Sequence, residues 1–116
     1  MFSKLFAAKR SKRTAPGALP PGERIYAIGD IHGRLDLLDK LLTLIADDNA
    51  ARPVAAMRHI FLGDLVDRGP ESAQVVERLR RFAQAHPETG FLMGNHEELF
   101  LTALAGDLKA LTLFNR

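Results

Sequence analysis

Short uninterrupted apolar runs and longer stretches of helical periodicity take turns along the chain from residue 24 onward. Arg24-Ile25-Tyr26-Ala27-Ile28 is a β-rich run that stops at Gly29 and predicts a first strand. Leu35, Leu37, Leu38, Leu41, Leu42, Leu44 and Ile45 then recur at helical spacing, with Asp36, Asp39 and Lys40 between them. They predict a helix over 35–50 that ends before Pro53. His59-Ile60-Phe61-Leu62 predicts a second strand. Pro70 predicts a helix start with Glu71 in the first turn, Val75, Val76, Leu79 and Phe82 inward, and His86-Pro87 as the stop. Phe91-Leu92-Met93 predicts a third strand. A helix follows over 97–105, Gly106 interrupts it, and a short helix over 107–114 closes the order β-α-β-α-β-α.

This alternation, with strands that are apolar throughout, predicts an α/β fold: a parallel sheet with helices on both faces. In such sheets ligands bind beyond the carboxyl ends of the strands. Each predicted strand ends in a short polar string: Gly29-Asp30-Ile31-His32-Gly33, then Gly63-Asp64-Leu65-Val66-Asp67-Arg68-Gly69, then Gly94-Asn95-His96-Glu97. Asp30 precedes Asp64 by 34 residues and Asp64 precedes Asn95 by 31. The three strings are therefore expected to line one crevice.

Composition narrows the chemistry. The 116 residues are 47% apolar and 26% charged, an ordinary globular balance for one domain or part of one. No cysteine is present, which removes disulfides and thiolate metal sites and suits a cytoplasmic location. No apolar run reaches the roughly 18 residues that a membrane span needs. The net charge of +2 divides unevenly, with +5 in residues 1–24 and −3 in the remainder. Residues 1–23, with Pro16-Gly17-Ala18-Leu19-Pro20-Pro21-Gly22 forbidding a continued helix, are expected to be a basic, disordered tail. Weak contact of this tail with a membrane surface is the alternative. The domain proper is assigned to 24–116. Nucleic acid is not expected as a partner, because the basic residues lack interleaved stacking aromatics.

Aspartate oxygens and imidazole suit Mn²⁺, Fe or Zn²⁺. Asp30, His32, Asp64 and Asn95 are the candidate metal ligands, with Asp64 able to bridge two cations. Glycines at 29, 33, 63, 69 and 94 are expected where a side chain would crowd the site. Arg68 offers a fork for phosphate oxygens, His96 could protonate a leaving group, and Asp67 could orient it. His59 and His86 have no such company and receive no role.

Together the strings GDxHG, GDxxDRG and GNHE resemble the signature of the metal-dependent serine/threonine phosphoprotein phosphatase family, within the calcineurin-like metallophosphoesterases. The resemblance covers residues 24–105, and the compact spacing is closer to bacterial or phage members. It implies the N-terminal half of a β-sandwich metallophosphoesterase fold. Asp30, His32 and Asp64 would hold one metal and Asp64 with Asn95 a second, the pair being Mn²⁺ or alternatively Fe or Zn²⁺. His96 would be the general acid supported by Asp67, and Arg68 would bind phosphate. The implied reaction is hydrolysis of phosphate monoesters on a phosphorylated protein or small phosphoester, without a covalent intermediate. The family's second half supplies two more histidines and another arginine, whereas no histidine follows His96. A truncated or incompletely translated member is therefore expected, weak or inactive in this form, with an uncovered sheet edge and apolar face.

Two rivals stand beside this reading. Leu65-Val66 and Pro70 lean toward a symmetrical diadenosine tetraphosphate hydrolase. Asp67 and Glu97 lean toward the phosphoprotein branch, which ranks first on sequence. A non-catalytic module binding one metal or a phosphorylated partner is the reading from another class.

Overall fold

A computed structural model describes residues 16–114; the first fifteen residues of the predicted tail lie outside the described residues. Strand β1 (Glu23–Ile28), helix α1 (Leu35–Ala50), strand β2 (Ala56–Phe61), helix α2 (Ser72–Ala85), strand β3 (Gly90–Phe91), helix α3 (Asn95–Leu104) and helix α4 (Leu108–Phe114) follow in order. The sheet order is β1-β2-β3, and both pairings are parallel. Ile28 aligns with Phe61, and Phe61 with Phe91, so the three strands finish level.

One face of the sheet carries the core. Ile28 and Phe61 from the strands meet Leu38, Leu42 and Ile45 of α1 and Val75, Leu79 and Phe82 of α2. Phe61 is fully buried and stacks on Phe91 at 5.1 Å. Burying side chains of this kind contributes about 1.5–3 kcal/mol each, which makes this cluster the main support of the fold. The end of α1 is tied to β1 by polar contacts: Tyr26 donates to Asp48 at 2.6 Å, and Arg24 donates to Asn49 and to the Pro53 carbonyl.

Helices on both faces were predicted, and the structure differs. Two crossovers of the same hand, stepping the same way across adjacent strands, set both connecting helices on one side. Ile25, Ala27 and Ile60, which alternate with the core residues, are left half-buried or exposed on the other. Helices α3 and α4 meet each other across Gly106, whose φ is +96°, and bury Ala103 and Ala110.

Several boundaries shift from the sequence reading, and three of the shifts have an evident cause. Strand β2 begins at Ala56, because Glu23 to Ile25 pair with Ala56 to Arg58 even though that stretch is mixed in polarity. Helix α2 starts at Ser72 rather than Pro70, since the Glu71 amide is held by the Gly33 carbonyl at 3.0 Å; Glu71 thus precedes the first turn. Strand β3 stops at Phe91 instead of Met93, where the chain leaves the sheet to bring Gly94 against Gly63.

Candidate metal centre

Beyond the ends of the strands the three predicted strings do converge. The amides of Ile31 and His32 donate to the Asp64 carbonyl, and that of Gly33 to the Leu65 carbonyl, each at 2.9 Å. The first loop is thereby stitched to the second. The second meets the third through glycine: a Cβ on Gly63 would lie 2.3 Å from the Gly94 nitrogen, and one on Gly94 would lie 2.2 Å from Asp64 Oδ1. Only a residue without a side chain allows that approach. Gly29 is different, because a Cβ there would meet nothing within 4 Å among the described residues; crowding by them does not explain it.

Asp30, His32 and Asp64 each offer a ligand atom, and these atoms lie within 4.8 Å of one another. The His32 ring is fixed by its Nδ1, which donates to the Val66 carbonyl at 3.0 Å. That hydrogen bond sets the tautomer and leaves the Nε2 lone pair facing Asp30 Oδ2 at 3.6 Å, as metal-ligating imidazoles require. Asn95 and His96 occupy the first turn of α3, not the loop before it. The Asn95 amide sits 3.1 Å from both carboxylate oxygens of Asp64. With its nitrogen inward it donates to both; with its oxygen inward three oxygens meet, an arrangement that a divalent cation would relieve. The donor set therefore fits a hard or borderline divalent metal.

The remaining candidates lie alongside. His96 Nδ1 meets Asp67 Oδ2 at 3.0 Å, and the His96 ring stands edge-on to His32 at 4.7 Å between centroids. The amide of Arg68 donates to Asp67 and, with His96 and the Arg68 charge, holds the Asp67 carboxyl below the usual carboxylate range. Arg68 is exposed and forms no ion pair among the described residues. The His96 amide also donates to Asp64 Oδ1 at 3.1 Å, so that carboxylate sits at the positive end of α3.

Four features escape a sequence reading. His32, Asp64, Asp67 and Arg68 all have positive φ, between 46° and 73°. Ser72 Oγ accepts from the Asp67 amide, the Val66 carbonyl orients His32, and the Glu97 carboxylate gathers amides of the second loop. No sequence signal marks Ser72 or the Val66 carbonyl. Glu97, in the GNHE string, was visible as a motif residue but not as a clamp.

The sequence model of the family described as calcineurin-like phosphoesterase matches residues 23–115. Among curated proteins the chain is 43% identical over 81 residues to a symmetrical bis(5'-nucleosyl)-tetraphosphatase of Methylococcus capsulatus, covering 70% of this chain and 26% of the relative. It is 29% identical over 102 residues to the serine/threonine-protein phosphatase rdgC of Drosophila melanogaster, covering 87% of this chain and 15% of that protein. A solved structure of a candidate diadenosine tetraphosphatase superposes with a TM-score of 0.58 at 27% identity, over 78% of this chain and 36% of that one. The chain thus spans about a quarter of the length of the tetraphosphatase it matches.

Proposed function

Because this chain belongs to the calcineurin-like phosphoesterase family, we propose that it carries the metal ligands of a phosphoester or phosphoanhydride hydrolase whose favoured substrates are dinucleoside tetraphosphates. The observation that carries the metal-dependent reading is the convergence of Asp30, His32 and Asp64, with the His32 ring pinned by Val66. Asp30, His32 and Asp64 would hold a first cation, and Asp64 and Asn95 a second, with Mn²⁺ suited to this oxygen-rich set and Fe or Zn²⁺ compatible. Such cations, when bound, lower the pKa of water and offset charge on phosphate.

The chain's own residues would do the rest. Asp67 holds His96 through Nδ1, leaving Nε2 to give a proton to the departing oxygen. Arg68 would grip two phosphate oxygens with its planar fork. In symmetrical cleavage of diadenosine tetraphosphate, the oxygen of water bonds to an inner phosphorus and the central P–O bridge bond breaks. The leaving diphosphate takes its proton from His96, and two ADP result.

The choice of substrate reverses the order that the motifs alone suggest. Higher identity to a tetraphosphatase than to a protein phosphatase supports the dinucleotide. Leu65-Val66 and Pro70 lean the same way. Asp67 and Glu97 keep phosphoprotein hydrolysis as the second reading. Turnover of diadenosine tetraphosphate against a phosphoserine peptide, with Mn²⁺ present, separates the two. ADP as the sole nucleotide product supports the proposal, and preference for the peptide overturns it. Mn²⁺ binding with hydrolysis of neither would leave a non-catalytic module.

A further inference from the structure

We infer that Glu97 is a positioning residue that holds the Asp64 loop in its ligand-binding shape through backbone amides, without touching substrate. The inference rests on the metal-centre reading but not on the identity of the substrate. From the first turn of α3, the Glu97 carboxylate accepts from the amides of Asp64 at 2.5 Å, Leu65 at 2.9 Å and Val66 at 3.3 Å. It also accepts from the Gly94 amide at 3.1 Å, at the start of its own helix. One side chain therefore ties the backbone of the second loop to the start of α3 through four amides.

This clamp acts on two of the three clustered ligands. Asp64 carries a φ of +53°, a conformation that a residue with a Cβ leaves once its amide is released. Relaxation there would carry the Asp64 carboxylate away from Asp30 and His32. The Val66 carbonyl that orients His32 lies on the same clamped segment, so the imidazole would lose its fixed tautomer as well. A carboxylate is required because all four partners are donors. Glutamine would offer one accepting oxygen and turn an NH₂ group toward N–H groups. Aspartate keeps the charge but is shorter by one methylene and reaches fewer of the four.

The test uses the full 116-residue chain in three forms: unaltered, Glu97→Gln and Glu97→Asp. Amide hydrogen exchange is measured on the metal-free proteins, and Mn²⁺ is titrated by calorimetry. Glu97→Gln should lose exchange protection at residues 64–66 while residues 56–61 of β2 keep theirs. Its Mn²⁺ affinity should fall by about 10–100-fold, the usual effect of removing an outer partner of metal ligands. Glu97→Asp should fall between the two. Unaltered Mn²⁺ affinity in a folded Glu97→Gln protein overturns the assignment. Loss of protection throughout both variants also overturns it, since Glu97 would then be a general stability residue. Failure of the unaltered chain to bind Mn²⁺ sinks the metal centre itself and is recognisable as that separate failure.

Discussion

Replacing His59 with leucine should stabilise the fold, and more so in acid. His59 lies in β2 with 4% of its surface exposed, and its Nδ1 is buried with no hydrogen-bond partner among the described residues. It faces the edge of Phe82 at 4.8 Å, with Tyr26 stacked at 6.2 Å and His86 at 5.9 Å. An unpaired buried polar atom costs about 1–3 kcal/mol. Losing the aromatic contact gives back about 0.5–1.5 kcal/mol. The net gain at pH 7.5 should therefore be roughly 1 kcal/mol, or about 4–8 °C in Tm for a domain of this size. Burial pushes the His59 imidazole below its ordinary value; His86 adds to that and Glu88 opposes it. The unfolded chain consequently takes up the proton first, so stability is fully present above the unfolded value of about 6.5 and is lost as pH falls below it. One proton contributes at most about 1.4 kcal/mol per pH unit, so the gap between variant and parent should widen by up to that amount between pH 7.5 and 5.5. Urea unfolding followed by far-ultraviolet circular dichroism at the two pH values measures both terms. His86 and Glu88, which face the ring from beyond α2, and Asp48, which holds Tyr26, are common to both proteins and largely cancel. A variant less stable than its parent at both pH values, or a gap that does not widen, refutes the reasoning.

Asp64→Asn should weaken Mn²⁺ binding by more than about 100-fold, beyond the usual outer-partner effect, because Asp64 is the side chain shared between the two proposed cations; calorimetric affinity near that of the unaltered chain would remove it from the ligand set. Gly94→Ala should destabilise by about 2 kcal/mol and impair Mn²⁺ binding, since the new Cβ would lie 2.2 Å from Asp64 Oδ1 and 2.4 Å from its backbone nitrogen. Gly29→Ala, with open space around its Cβ, serves as the neutral control in the same melts. Asp67→Asn should lower kcat on the preferred substrate by about 100-fold, the smaller end of general-acid effects, with Mn²⁺ affinity retained. Equal losses of turnover and metal binding would instead make Asp67 part of the metal support.

Elements set by local pattern were readable from the chain, and elements set by partners were not. The leucine and isoleucine spacing of residues 35–45 predicts α1 with the bounds it has, because one stripe of that helix is buried and nothing else competes. The strings at the strand ends were equally plain, and the structure brings Asp30, His32 and Asp64 together as expected. The face on which α2 packs depends on strand order and crossover hand, and neither is written in α2 itself. The start of α2 was misjudged because proline and glutamate at 70–71 favour a helix start in isolation, whereas the Gly33 carbonyl claims the Glu71 amide. Burial of His59 was hidden for a similar reason: a polar residue in a short strand gives no sign of which face it occupies until the partner strand sets the register.

The same distinction explains why the site is more than a collection of ligands. A left-handed backbone at His32, Asp64, Asp67 and Arg68 costs on the order of 1–2 kcal/mol at each residue. Such strain persists only where surrounding contacts over-determine the chain. The first loop leans on the Asp64 and Leu65 carbonyls, the Asp67 amide on Ser72, and the segment 64–66 on Glu97. Each support comes from a different stretch of chain, and each would be lost if its neighbour relaxed. A cation held by Asp30, His32 and Asp64 would therefore depend on the backbone contacts that shape these loops. Substitutions that release the backbone of these loops should weaken Mn²⁺ binding at the proposed site even where every ligand is kept.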